Sequence, residues 1–197
     1  MKKILLVLPF VMLLGACAKE AGSQLSSLSI PDSYSDSASE GEERIYSVKL
    51  TPENSGLQKD GEGNPLDSTS PINLSLESQQ DKNVTYNLIL GNPCYLSTKA
   101  HEFIMKPGSY IKSVSTYKVD RIIVDFFSGK GVNFGVYANS DGSGTALEPH
   151  ESTIAPEDPD DTTLVYEYEI DGSAWYMKNI TEFNKPGIYS VTVVFTK

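Results

Sequence analysis

Apolar and polar residues alternate along most of this chain, and no stretch repeats apolar residues at helical spacing for three turns. A period of two places successive side chains on opposite faces of an extended strand. Val132, Phe134, Val136 and Ala138 share one side of such a strand, against Asn133, Gly135, Tyr137 and Asn139. Ile122, Val124 and Phe126 form a second apolar row. Leu164, Tyr166, Tyr168 and Ile170 form a third, opposite Glu167 and Glu169, and Tyr189, Val191, Val193 and Phe195 form a fourth. The runs predict strands at Ile45–Leu50, Ile72–Leu76, Val84–Leu90, Glu102–Met105, Tyr110–Tyr117, Arg121–Phe127, Val132–Ala138, Thr163–Ile170, Ala174–Asn179 and Ile188–Phe195. Gly, Pro, Asn and Asp separate them, which is the spacing of an all-β sandwich. The expected fold is a single antiparallel β-sandwich, jelly-roll-like, over residues 45–197. Ser128-Gly129-Lys130-Gly131 reads as a hairpin turn between the strands on either side of it. The segment from Thr51 to Pro71 reads as a long, turn-rich loop.

The pattern is different before Ile45. Lys2 and Lys3 precede an apolar run, Ile4 to Leu14, too short for a permanent membrane span. Leu14-Gly15-Ala16-Cys17 closes it, and that order is a secretory signal. These last four residues resemble the lipobox of bacterial lipoproteins. The resemblance implies cleavage before Cys17, a diacylglyceryl group on its sulfur, and an exported, palmitate-bearing protein of the cell envelope, held to a membrane and facing outside the cytoplasm. Two acyl chains satisfy the two-signal requirement for stable attachment. Residues 1–16 are then signal peptide. Residues 17–44 carry the lipidated Cys17 and a spacer of Ser, Asp, Glu, Gly and Ala. That composition buries too little apolar surface to offset its ordering entropy, so the spacer reads as a disordered acidic linker.

The stretches "GSYIKSVSTYKVDRIIVDFFSGKGVNFGVYAN", "TTLVYEYEIDGSAWYMKNI" and "GIYSVTVVF" resemble a β-sandwich module of bacterial surface and secreted proteins, similar to discoidin-like and carbohydrate-binding domains. The resemblance covers roughly Asp81 to Lys197. It implies the fold, and it brings no catalytic residues to this chain.

Charge and chemistry narrow the choices. The formal net charge of −10 repels nucleic acid and anionic headgroups, so nucleic acid is not an expected partner. Cys17 and Cys94 are the two cysteines of the chain, and lipid on the first leaves no disulfide. Nothing beside Cys94 would lower a thiol pKa, so it reads as a small buried hydrophobe. His101 and His150 read as surface residues, no G-x-S-x-G turn is present, and "SGKGVNFG" lacks the G-K-[ST] ending of a phosphate loop. Asp60–Asn64 and Asn139–Ser143 alternate oxygen side chains as calcium loops do. Neither continues to the distant Glu of a complete loop, and both read as turns. Glu157, Asp158, Asp160 and Asp161 sit between prolines in a loop, unlike a glycosidase pair with one member in an apolar site. No catalytic residue, metal site or cofactor follows from the sequence.

Aromatic residues supply the remaining signal. Eleven tyrosines and one tryptophan are many for 197 residues. Sugar binding on a β-sandwich needs flat rings against pyranose faces, with polar side chains for the hydroxyls. Tyr137, Asn139, Asp141, Trp175 and Tyr176 are the candidate ligand-binding residues. The expected function is a binding or adhesion module anchored to a membrane, with a glycan as its ligand. The alternative is a structural envelope lipoprotein acting through contacts with another envelope protein, and a hydrolase comes third.

Overall fold

The computed structural model describes residues 43–98, 101–127, 129, 131–154 and 163–197. Cys17, the signal segment, the linker up to residue 42 and the carboxylates Glu157, Asp158, Asp160 and Asp161 lie outside the described residues. The described chain is all strand and connection, without helix. In chain order the strands are β1 (Ile45–Leu50), β2 (Ile72–Glu77), β3 (Thr85–Leu90), β4 (Cys94–Leu96), β5 (Phe103–Met105), β6 (Tyr110–Ser113), β7 (Lys118–Phe127), β8 (Phe134–Tyr137), β9 (His150–Glu151), β10 (Thr163–Gly172), β11 (Tyr176–Asn179) and β12 (Gly187–Thr196).

They form two antiparallel sheets. The seven-stranded sheet runs β4-β5-β12-β7-β10-β9, with β1 also on β12, and the five-stranded sheet runs β2-β3-β6-β11-β8. β12 is the organising strand. Its first residues pair with β5, its later ones with β1, and its other edge with β7. Val191, Val193 and Phe195 face the opposite sheet and are fully buried. The outward residues Ser190, Thr192 and Val194 are buried as well, which explains a strand that reads as nearly continuous β-branched residues.

The core lies between the sheets. Val124, Phe126, Phe134, Val136, Tyr168, Val191, Val193 and Phe195, all expected inside from alternation, are buried. Two groups of rings cross the gap. Phe195 of β12 packs at 4.8 Å from Tyr86 of β3, and Phe126 of β7 meets Phe134 of β8 edge-on at 4.9 Å. A smaller cluster of Ile123, Val165 and Val194 sits on the outer face of the seven-stranded sheet, with Ile154 packed on it. Ile154 follows β9, whose short arm is held by Ser152 N–H donating to Val165 O at 2.9 Å.

The connection from β7 to β8 corrects the expected hairpin. β7 pairs with β10 and β12, whereas β8 pairs with β11 in the other sheet. The chain therefore changes sheets between Phe127, the last residue of β7, and Phe134, the first of β8. Both strands carry an unbroken apolar row, and the rows are buried by facing each other rather than by lying side by side. β8 is also shorter than expected, so Val132 and Ala138 at its ends are exposed.

Cys94 on β4 is buried and free of disulfides, and its thiol donates to Gly91 O at 3.1 Å. Burial pushes the thiol pKa up to about 12. An unfolded thiol ionises at about pH 8.5, and the folded one stays protonated beyond that. Ionisation then favours the unfolded chain, so this contribution to stability is present below pH 8.5 and falls away as pH rises toward 12.

Replacing Phe134 by Ala should cost about 3–5 kcal/mol in urea unfolding. A loss below about 1 kcal/mol would place Phe134 outside the core. The thermal midpoint should decline from about pH 8.5 upward. Cys94→Ala should flatten that decline, and an unchanged slope in the variant would contradict the assignment.

Candidate functional site

The antiparallel registers bring Tyr137 and Tyr176, two of the five expected ligand-binding residues, to the outer face of the five-stranded sheet, and Asn139 and Asp141 lie in the turn that follows β8. Tyr176 lies opposite Tyr137 on one side and Lys112 on the other, while Lys178 lies between Gly135 and Tyr110. Tyrosines and lysines thus share one face across β6, β11 and β8. Trp175 does not join them. It precedes β11, is 0% exposed, and its indole Nε1–H donates to the Tyr86 hydroxyl at 3.1 Å inside the core. The expectation that Trp175 reaches a ligand is therefore corrected: alternation turns it inward, on the side opposite Tyr176.

The remaining rings pack against neighbouring parts of the chain. Tyr110 and Tyr176 stack at 5.0 Å with planes 22° apart. A Cβ on Gly91 would lie 2.3–2.5 Å from three ring atoms of Tyr110, which places the Gly91 backbone flat on that ring. Gly142, at φ +70°, lies against Tyr176, where a Cβ would come within 2.6 Å of the ring. Gly91 thus packs on Tyr110 and Gly142 on Tyr176, the two rings of the stacked pair, and each ring stays half-buried. Tyr137 lies over Gly135, with the Lys178 ammonium 4.5 Å from its ring centre.

The Asn139–Ser143 turn is held the same way. Ser143 N–H donates to Asp141 Oδ1 at 2.9 Å, Asn139 Nδ2 donates to Ser143 O at 3.2 Å, and Lys178 Nζ donates to Gly142 O at 2.8 Å. Hydrogen bonds from Ser143 hold the exposed Asp141 carboxyl below its ordinary range. Asp60 closes its own turn through Glu62 N–H at 2.9 Å and Asn64 N–H at 2.7 Å. On the outer face of the seven-stranded sheet, burial lowers the Lys49 pKa, and the nearby carboxylates of Asp125 and Glu53 partly restore it. Glu167 is engaged by Arg121 Nε at 3.5 Å and by the Ser152 hydroxyl.

A concave site lies elsewhere, at the β4 edge of the seven-stranded sheet. Pro65, Asp67, Tyr95, Lys106 and Lys185 line a shallow depression that is mostly open to solvent. Cys94 points into the core, so the next residue, Tyr95, stands on the opposite face, half-buried. The loop carrying Asp67 is pinned to β4 by Ser68 N–H donating to Cys94 O at 2.7 Å and by Cys94 N–H donating to Ser68 Oγ at 2.9 Å. Lys106 pairs with Asp67 and sits 5.3 Å from the Tyr95 ring centre, and Lys185 sits 6.0 Å from it. Burial raises the Tyr95 pKa, so its hydroxyl stays protonated and able to donate.

Lys185 follows a loop that also displays Phe183, at 87% the most exposed large apolar side chain among the described residues. Asn179 fixes that loop. Its Nδ2 donates to Met105 O and to Asn184 O, each at 2.9 Å, and its Oδ1 accepts from Thr181 N–H at 2.8 Å. Ile180 and Val132 are exposed nearby, joined through Ile180 N–H donating to Asn133 O at 3.1 Å.

No protein-family model, characterised protein or solved structure matches this chain.

The depression was not legible in the sequence. Its residues come from four separate segments, and β4 is a three-residue strand. The one local signal was Tyr95 within an apolar triplet, Cys94-Tyr95-Leu96, between Pro93 and Ser97.

Gly91→Ala should force the Tyr110–Tyr176 stack apart and cost about 1–3 kcal/mol, several degrees in the thermal midpoint of a domain this size. Gly61, with nothing within 4 Å of its Cβ position, should accept Ala without change. Equal midpoints for the two variants would show that Gly91 does not pack closely on the Tyr110 ring.

Proposed function

We propose that this chain is an exported lipoprotein, anchored to a bacterial envelope membrane through lipid on Cys17, whose β-sandwich serves as a binding module for glycans. The order Lys2-Lys3, apolar run, Leu14-Gly15-Ala16-Cys17 supports the anchor. The binding reading rests on one observation, the Tyr95 depression, an open surface hollow where a half-buried ring lies under the ammonium groups of Lys106 and Lys185. An aromatic ring with only two torsions gives contact area at low entropic cost, and neighbouring charged groups orient hydroxyls. Sites of this shallow kind bind weakly, with Kd on the order of 0.1–1 mM. Many copies tethered to one membrane convert that to firm adhesion.

A second reading has its own observation. Val132, Ile180 and Phe183 expose apolar surface on adjoining segments, at 39%, 51% and 87%, and clustered exposed apolar side chains suit a protein partner. This is the structural envelope alternative.

Mass spectrometry of the native protein should find no peptide from residues 1–16 and a diacylated Cys17, and Cys17→Ala should release the protein from membranes. Unchanged membrane association of Cys17→Ala would contradict the anchor. For the module, a glycan-array screen of the full chain should give signals that Tyr95→Ala removes and Phe183→Ser leaves in place. The reverse pattern, with Phe183→Ser abolishing capture of a protein and no glycan bound, would favour the second reading.

A further inference from the structure

We infer that the Phe183 loop is a self-association surface, through which two copies of this chain meet about a two-fold axis. The inference rests on the second reading above, contact through exposed apolar side chains, and names the partner. Phe183 is 87% exposed, yet the loop that carries it is braced. Asn179 holds Thr181 and Asn184 through its side chain, the Thr181 hydroxyl donates to Asn184 O at 2.9 Å, and Asn184 Nδ2 donates to Asn133 Oδ1 at 3.3 Å. A ring held out on a fixed loop loses little freedom when a partner buries it. Ile180 opens the same loop and is joined to the segment of Val132, so three exposed apolar side chains occupy adjoining segments.

Charge selects a second copy as the occupant. The chain carries −10 overall, so most surfaces of two copies repel each other. The Phe183 loop is an exception, because Glu182 and Lys185, an acid and a base, flank the ring and are both exposed. Neither has an ion-pair partner among the described residues. Lys185 rests 6.0 Å from the Tyr95 ring centre, the outer limit of a cation–π contact and a weak hold at an exposed site. In a two-fold contact the same patch faces itself, so a residue and its counterpart exchange roles. Glu182 of each copy then faces Lys185 of the other, with the apolar side chains between them. An anionic lipid surface would attract Lys185 and repel Glu182. The loop is also remote from the point where the chain leads back toward Cys17. It precedes the first residue of β12, whereas Thr196, the last, pairs with Ile45, and ten strand residues span about 33 Å. Three side chains per copy fall well short of the roughly 800 Å² per partner of a standard interface. The pairing is therefore weak, with Kd on the order of 0.1–1 mM. Flexible tethers on a shared membrane supply concentrations of that order.

Sedimentation equilibrium of the full chain in density-matched detergent, over a concentration series reaching the millimolar range, tests this. The mean mass should rise from one protein copy toward two. Phe183→Ser should weaken the association about tenfold or more. Glu182→Lys and Lys185→Glu should each weaken it alone, since each leaves like charges facing across the axis. An equimolar mixture of those two variants should associate as the unaltered chain does, because each supplies the charge that the other lacks. All three positions are exposed, so every variant should keep the native Trp175 emission that certifies the fold. A mixture that associates no better than its components would overturn the two-fold contact. So would association that Phe183→Ser leaves unchanged. A chain that stays monomeric throughout, while Phe183→Ser abolishes its capture of a different protein, would overturn the inference and leave the second reading standing. A monomeric chain that binds phosphatidylethanolamine–phosphatidylglycerol vesicles through Phe183 would give the loop to a membrane and overturn both.

Discussion

The buried thread from Trp175 through Tyr86 to Ser113 is the constraint on which the domain depends. Trp175 Nε1–H donates to the Tyr86 hydroxyl at 3.1 Å, and Tyr86 and Ser113 share a hydrogen bond of 2.8 Å. Ser113 Oγ in turn donates to Ser115 O at 3.3 Å. Every polar group on this path finds a partner, so the chain's largest side chain is buried without an orphaned donor. Orphaning one would cost about 1–3 kcal/mol. The thread joins β3, β6 and the entry to β11, which are neighbours in the five-stranded sheet. Tyr86 then stacks toward Phe195 of β12, the strand that holds the other sheet together. Lateral and cross-sheet order thus meet at one residue.

With Trp175 inward, strand alternation puts Tyr176 outward, and the outer face of the five-stranded sheet follows from that. Its tyrosines are long, its neighbours at Gly91 and Gly142 have no side chain, and the rings lie down between them. The result is a stacked pair of half-buried rings with a glycine against each. On the edge strand β4, Tyr95 has a shallow depression beside it and lysines rather than glycines as neighbours. Aromatic content alone therefore said little about where a ligand could sit.

The alternation of β7, β10 and β12 made the core legible, because rows such as Val191, Val193 and Phe195 repeat for long enough to define a face. The two-sheet architecture followed from many such rows separated by turns. Partner choice did not. Phe126 and Phe134 have the same pattern whether their strands pair or face each other, and only the assembled sandwich distinguishes the two. The three-residue β4 and two-residue β9 are too short to carry a period. Trp175 was read by its chemistry, as a ring suited to sugars, when its place opposite Tyr176 in the alternation carried the better information. The outward cluster of Ile123, Val165 and Val194 escaped for a related reason: a strand covered on both faces loses its alternation.

The single tryptophan makes the central claim directly measurable. Emission from the native protein reports Trp175 alone. The account predicts a blue-shifted spectrum that acrylamide and iodide barely quench, moving to a red, fully quenched spectrum in one step on unfolding, and unaltered by saccharides. A native spectrum already red-shifted and quenched as readily as that of the unfolded chain would put Trp175 at the surface, and with it the inward thread and the outward tyrosine pair would fall.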